Sequence, residues 1–237
     1  LDAMMLLYSE SMLSGVSAWV KETRAAMPAE LRRDNALVIE GMYRVLMPDR
    51  IWPGFLAYVD DLAGRDAVAM RDAAIEWMCG DVEKLAAKGL KPLERDTLLN
   101  DLNAFLDFHQ AMHEKEREDY PELEIDEFDR QFFTEMHSLY RDPDEMRTFI
   151  VRHLRTMWDE YLAQDWAHTR PMLEEAVEAF HQLDYRGVTA LEAVRAVTGR
   201  DLSAWEKDLS HAEKVVFMPS AHLGPYVRMF KPAGSVA

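Results

Sequence analysis

The sequence predicts a mainly α protein, an irregular multi-helix bundle that ends in a short C-terminal β-hairpin or extended segment. Three observations carry this. Apolar residues recur at helical spacing through most of the chain. Proline and glycine fall between those periodic runs and not within most of them. One stretch, residues 215–227, departs from the pattern altogether, with β-branched and aromatic residues at 215–218, prolines at 219 and 225 and a glycine at 224.

In chain order, residues 29–47 place Leu31, Leu37, Val38, Met42, Val45 and Leu46 at helical spacing between Pro28 and Pro48, which predicts one helix. The break Ile51-Trp52-Pro53-Gly54 leads into a run from Phe55. Gly64 separates it from a second run through Val68, Ile75 and Trp77, so two shorter helices are expected. Pro92 opens a helix over 93–114, Asp119-Tyr120-Pro121 closes that region, and 128–140 forms the next helix. The strongest periodicity lies at 143–183. There Met146, Phe149, Ile150, His153, Leu154, Met157, Trp158 and Tyr161 define a buried face, and Met172, Leu173, Ala176, Val177 and Phe180 continue the pattern beyond Pro171. A kink or short break is expected at Pro171, with Thr169 as a possible cap. Asp144 and Glu145 complement the helix dipole in the first turn. Residues 189–197, ending near Gly199, and 202–209 give two short helices. No internal repeat, low-complexity tract or long linker interrupts the series, and the expected division is a helical domain over 1–212 followed by an extended segment over 213–237.

Composition narrows the function classes. The chain has 237 residues, 49% of them hydrophobic, enough for a sizeable core. Its 43 acidic against 27 basic residues give a net charge of −16, which disfavours a broad phosphate-binding surface. The two short helices over 189–209 have helix-turn-helix spacing, yet Glu192, Asp201, Glu206 and Asp208 outweigh Arg195, Arg200 and Lys207 there, so they are expected to be connecting helices. The single Cys79 excludes an intrachain disulfide and fits a reducing compartment. With no apolar run of spanning length, no secretory signal and no membrane partner, the expected location is the cytoplasm. Leu1 in first position suggests that the natural N-terminus lies upstream.

Within residues 215–227, the residues Phe217, Pro219, Ser220, His222, Gly224, Pro225 and Tyr226 form an F-x-P-S-x-H-x-G-P-Y pattern. This resembles a segment of a group of bacterial ArsR-type winged-helix transcriptional regulators. The run Trp158-Asp159-Glu160-Tyr161, leading to Arg170-Pro171-Met172-Leu173-Glu174, is similar to the aromatic helix and R-P-x-L-E of the same group, and Gly199-Arg200 sits at similar spacing. The resemblance covers about 158–226 and is diffuse before it. It implies a helical sensing and dimerisation region whose 217–226 segment joins a winged helix on its C-terminal side. Only residues 231–237 follow Phe230, so that module is expected to belong to a longer parent protein.

The expected role is therefore regulatory and not enzymatic. The protein would be a homodimer that meets DNA only through the missing winged helix and uses no cofactor. A small hydrophobic ligand would lie against His153, Met157, Trp158 and Tyr161, since 15 Met and 6 Trp could line an adaptable pocket. The same stripe also reads as ordinary core. Two other classes stay open: a dimerisation module without ligand, and a helical metal protein or enzyme built on His109 and His113, whose i, i+4 spacing puts both rings on one helix face. Ser220 beside His222 lacks the G-x-S-x-G context of a nucleophile elbow and is expected to serve the turn.

Overall fold

The structure is a computed structural model that describes residues 1–10, 13–48, 50, 52–80, 82–121, 127–212 and 214–229. Ile51 of the expected first break and residues 230–237 of the expected extended segment lie outside the described residues. The elements are α1 (Asp2–Ser9), α2 (Ala18–Ala26), α3 (Ala29–Ala36), a π turn (Leu37–Gly41), a 3-10 turn (Tyr43–Leu46), α4 (Phe55–Gly64), α5 (Ala67–Gly80) and α6 (Val82–Ala87). They continue with α7 (Arg95–Asn100), α8 (Leu102–Asp119), α9 (Arg130–Arg141), α10 (Pro143–Met157), a second π turn (Trp158–Leu162), α11 (Ala163–His181) and α12 (Ala190–Thr198). A 3-10 turn (Ser203–Trp205) then runs into α13 (Glu206–Ser210). The protein is mainly α, as the periodicity predicts. Among the described residues there is no strand, so residues 214–229 are non-helical without forming a hairpin ladder.

The chain divides into two compact units. One holds Ala26–Met157 with Leu1; the other holds Asp2–Ala25 and Trp158–Ala237. The division falls inside the helical region 1–212 that the sequence treats as one domain.

The first unit is organised by α10, which packs on α4, α5 and α9. Met146, Phe149, Ile150, His153, Leu154 and Met157 are all buried along it, so the expected buried stripe is real as far as Met157. The neighbouring helices α4, α5, α8 and α9 bury Tyr58, Ile75, Phe105 and Tyr140 in the same core. The single helix expected over 29–47 is instead three helical pieces. Consecutive Leu37, Val38 and Ile39 are all buried, which one stripe of a regular α-helix cannot achieve, and Gly41 lets Met136 of α9 come within 3.1 Å of where a Cβ would stand. Side chains secure the irregular path. Tyr140 donates its hydroxyl hydrogen to the Gly41 carbonyl at 2.6 Å, and Tyr58 donates to the Leu46 carbonyl at 2.6 Å.

The helix expected over 93–114 is also divided. Asp101 adopts an extended conformation, and its carboxylate accepts from the backbone N–H of Asn103 and Ala104. It therefore ends α7 and caps α8, the role for which Asp competes with helix continuation. Of the kink or short break expected at Pro171, the break does not occur: Pro171 sits inside one helix, α11, and the π turn 158–162 lies upstream of it. Thr169 is not a cap; its hydroxyl donates to the Asp165 carbonyl at 2.9 Å. The second half of the expected buried face differs too: no residue of α11 is buried, and Met172 is 53% exposed.

In the second unit, α12 is bounded as its sequence suggests. Thr189 and Glu192 form a reciprocal capping box, and Gly199 closes the helix at φ 66°, a conformation that favours glycine.

Replacing Tyr140 by Phe removes the hydroxyl that satisfies the buried Gly41 carbonyl. The expected loss is about 1–3 kcal/mol of unfolding free energy, measured by chemical denaturation, with helix content unchanged in the folded baseline.

Candidate functional site

The sequence motif at 217–226 becomes a clasp within the second unit, built on His222. The imidazole is 8% exposed and both of its nitrogens are engaged. Nε2 lies 2.6 Å from Oδ2 of Asp165, in the first turn of α11, and Nδ1 lies 3.0 Å from Oγ of Ser17, just before α2. Trp19, near the start of α2, stacks on the ring at 4.3 Å between centroids with a 20° tilt. Asp165 can only accept here, so Nε2 carries a proton. Ser17 donates to a bare Nδ1 or accepts from a protonated one. Its three residue types are those of a nucleophilic relay, but the ring is turned the other way, with serine on Nδ1 and carboxylate on Nε2.

The residues around His222 fasten the same segment to the N-terminal part of the unit. Ser220 donates its hydroxyl to Asp2 at 2.9 Å, and Arg228 donates to the other oxygen of that carboxylate at 3.0 Å. The Tyr226 hydroxyl accepts from the backbone N–H of Ser14 at 2.9 Å. Between them, Tyr226 N–H donates to the Leu223 carbonyl, closing a turn whose first central residue is Gly224 at φ 59°. Glycine is required there twice over: the left-handed backbone disfavours side chains, and a Cβ would run into the carbonyl oxygen of Gly15. Pro225 follows and lies against Gly15, at 3.2 Å from where a Cβ of that glycine would stand. Upstream, Phe217 anchors among Phe180 and Tyr185, at 6.4 and 6.3 Å between ring centroids.

Every motif residue named from the sequence except Pro219 thus has a specific partner or packing role. Ser220 is bonded to Asp2 and not to His222. Sequence reasoning missed Asp2, Ser14, Gly15, Ser17 and Trp19. Of the His222 partners, only Asp165 stood in a run already singled out for its resemblance.

The four residues expected to line a ligand pocket are divided between the two units at 157/158. His153 and Met157 are buried in the first, and Trp158 and Tyr161 are half-buried on the π turn of the second. His153 sits 3.2 Å from the Asn35 side-chain oxygen through Nε2, while its Nδ1 is buried without a hydrogen-bond partner among the described residues. Burial, and secondly the nearby Arg152 charge, lower its pKa to about 4.

The alternative metal pair is in the first unit. His109 is enclosed by aromatic rings: Phe105 and Phe133 each lie 4.4 Å from it, with Trp77 and Phe108 further out. Burial pushes its pKa down to about 3, and Nε2 is buried without a hydrogen-bond partner among the described residues. His113 is half-buried with its ring near Phe128. Among the described residues no group of three or more His, Cys, Asp and Glu converges, so the i, i+4 pair gains no third ligand.

No family model matches this chain, and no curated protein or solved structure matches it.

Two outcomes follow. Gly224→Ala forces a side chain into a positive-φ position at a cost of about 1–3 kcal/mol. Hydrogen exchange should therefore accelerate over 214–229 and leave 130–157 unchanged. Buried His109, His137 and His153 also set an acid response. Their folded pKa values lie below the ordinary value, so the unfolded state binds more protons between about pH 3 and 6.5 for His109. Stability contributed by the neutral ring is complete above that window and lost as pH falls through it. Within the window each such ring contributes a slope of about 1.4 kcal/mol per pH unit, and His109→Leu should flatten the measured pH dependence by that amount between pH 6 and 5.

Proposed function

We propose that this chain is the regulatory region of a bacterial ArsR-type transcriptional regulator. It acts in the cytoplasm as a homodimer, without a cofactor and without catalysing a reaction. DNA is contacted by a winged helix outside this chain, and a small hydrophobic molecule acts as the signal. No described helix is long and apolar enough to cross a membrane, which is compatible with that setting.

The observation that carries this reading is the clasp. The F-x-P-S-x-H-x-G-P-Y pattern, the feature most similar to those regulators, is a set of residues with individual structural duties around His222, Ser220, Gly224 and Tyr226. In the proposed mechanism the clasp is the mechanical junction, because a winged helix attached after it inherits its position. A signal acts only if it favours one state of that junction over another. The net charge of −16 supports a reading in which the basic DNA-binding surface belongs to the winged helix and not to this chain.

The test uses the full natural protein and labelled duplex from the region upstream of its own gene. Salt-dependent binding that prefers this duplex over a scrambled one is expected, and His222→Ala should change that affinity while leaving the fold of residues 26–157 intact. Equal affinity for both duplexes would overturn the reading. A hydrophobic compound that raises the melting temperature should also shift the DNA affinity.

A further inference from the structure

The cluster at His222 includes a serine outside the sequence motif, Ser17, and the bonding around the ring sets that serine beside a base. Asp165 only accepts, so Nε2 carries the ring proton, and in the neutral imidazole Nδ1 is then the bare nitrogen. Ser17 Oγ stands 3.0 Å from it, within the reach a base needs to take a hydroxyl proton. The reversed ring does not alter this chemistry. A serine needs one bare nitrogen beside its hydroxyl and a carboxylate on the protonated one, and either ring nitrogen can fill either place. The 2.6 Å bond to Asp165 stabilises the positive charge that the ring gains as the proton moves. Trp19, stacked on the ring, fixes its plane, and all four residues belong to the second unit.

The position of Ser17 supplies a donor for an oxygen that becomes negative. Ser17 directly precedes α2 and its carbonyl accepts from the Val20 N–H at 3.2 Å, so it stands at the cap of a nine-residue helix. The N–H groups of Ala18 and Trp19 fall in the first turn, where a helix offers no acceptor of its own. A donor one residue after a nucleophile is well placed for the oxyanion formed on it. Ala18 is exposed and Ser17 half-buried, which opens this end of the cluster to solvent, while the side chains of His222 and Asp165 are 10% and 14% exposed. Ser210 shows that a neighbouring imidazole is not enough. Its Oγ lies 3.1 Å from Nδ1 of His211, but that nitrogen is 2.7 Å from the Lys207 carbonyl, to which it can only donate, so it carries a proton and is no base.

We propose that Ser17 is a covalent modification site that takes the acyl group of a small neutral ester, with His222 as the base and Asp165 holding the ring. Oγ attacks the ester carbonyl carbon and its proton passes to Nδ1. The bond from that carbon to the leaving oxygen breaks, the leaving oxygen departs with the proton as an alcohol, and an acylserine remains. The net charge of −16 disfavours an anionic ester. The inference goes beyond the regulatory reading and does not depend on it.

The test incubates the chain with p-nitrophenyl acetate, follows release of p-nitrophenol and maps acetylated residues by peptide mass spectrometry. Acetyl on Ser17 and not on Ser210 is expected, formed faster than in the urea-unfolded chain by on the order of a hundredfold. Ser17→Ala removes that adduct. Asp165→Asn allows the ring to carry its proton on Nδ1, and should slow Ser17 acetylation by a similar factor while hydrogen exchange over 214–229 keeps its wild-type rates. Acetylation confined to other side chains, or Ser17 acetylated no faster folded than unfolded, overturns the proposal. So does an Asp165→Asn chain that keeps both its exchange rates and its acetylation rate. Where that substitution loosens 214–229, the comparison of folded with unfolded wild type decides alone.

Discussion

The second unit depends on burying one imidazole with both nitrogens satisfied. A buried polar group without partners costs free energy comparable to a lost hydrogen bond, so His222 is tolerable only where Asp165 and Ser17 are both present. The imidazole and its two partners come from three separate segments, and meeting this one requirement brings residues near 17, 165 and 222 to one point. The neighbouring bonds, Ser220 and Arg228 to Asp2 and Tyr226 to Ser14, follow the same path. Gly15 and Gly224 supply the close backbone approach that the path needs, since neither position has room for an ordinary side chain at its positive φ.

The first unit solves a different problem, packing many short helices with aromatic and sulfur-bearing side chains. Two of its histidines, His109 and His153, are buried in that packing. His109 lies among phenylalanines and His153 against Asn35, and burial holds both well below the ordinary imidazole pKa. Irregular backbone at Leu37–Gly41 and Tyr43–Leu46 is stabilised by tyrosine hydroxyls that take up its carbonyls. The core of this unit is therefore specified partly by directional bonds, which fix register in a way that apolar burial alone does not.

Taken with the charge balance, these two solutions separate structural from interactive surface. What stands out is the second unit, where a motif is clasped at one end and α11 leaves Trp166 and Val177 uncovered.

Periodicity by itself determined the helical class, the stripe from Met146 to Met157, the helix bounds near Gly64, Gly199 and Pro143, and the non-helical character of 215–227. These follow from interactions within a few residues along the chain, which sequence spacing reports directly. Asp101 shows the limit. It splits a periodic run because its carboxylate found the N–H groups of Asn103 and Ala104, an option that periodicity does not weigh. The stripe of α11 shows another, since an apolar spacing states what a helix could bury and only neighbouring segments decide what it does bury. The clasp lay furthest beyond the sequence. Its motif was visible as an anomaly, but Ser17 stands 205 positions from His222 and Ser14 stands 212 from Tyr226. No local pattern links such pairs, because their geometry exists only once the helices between them have packed.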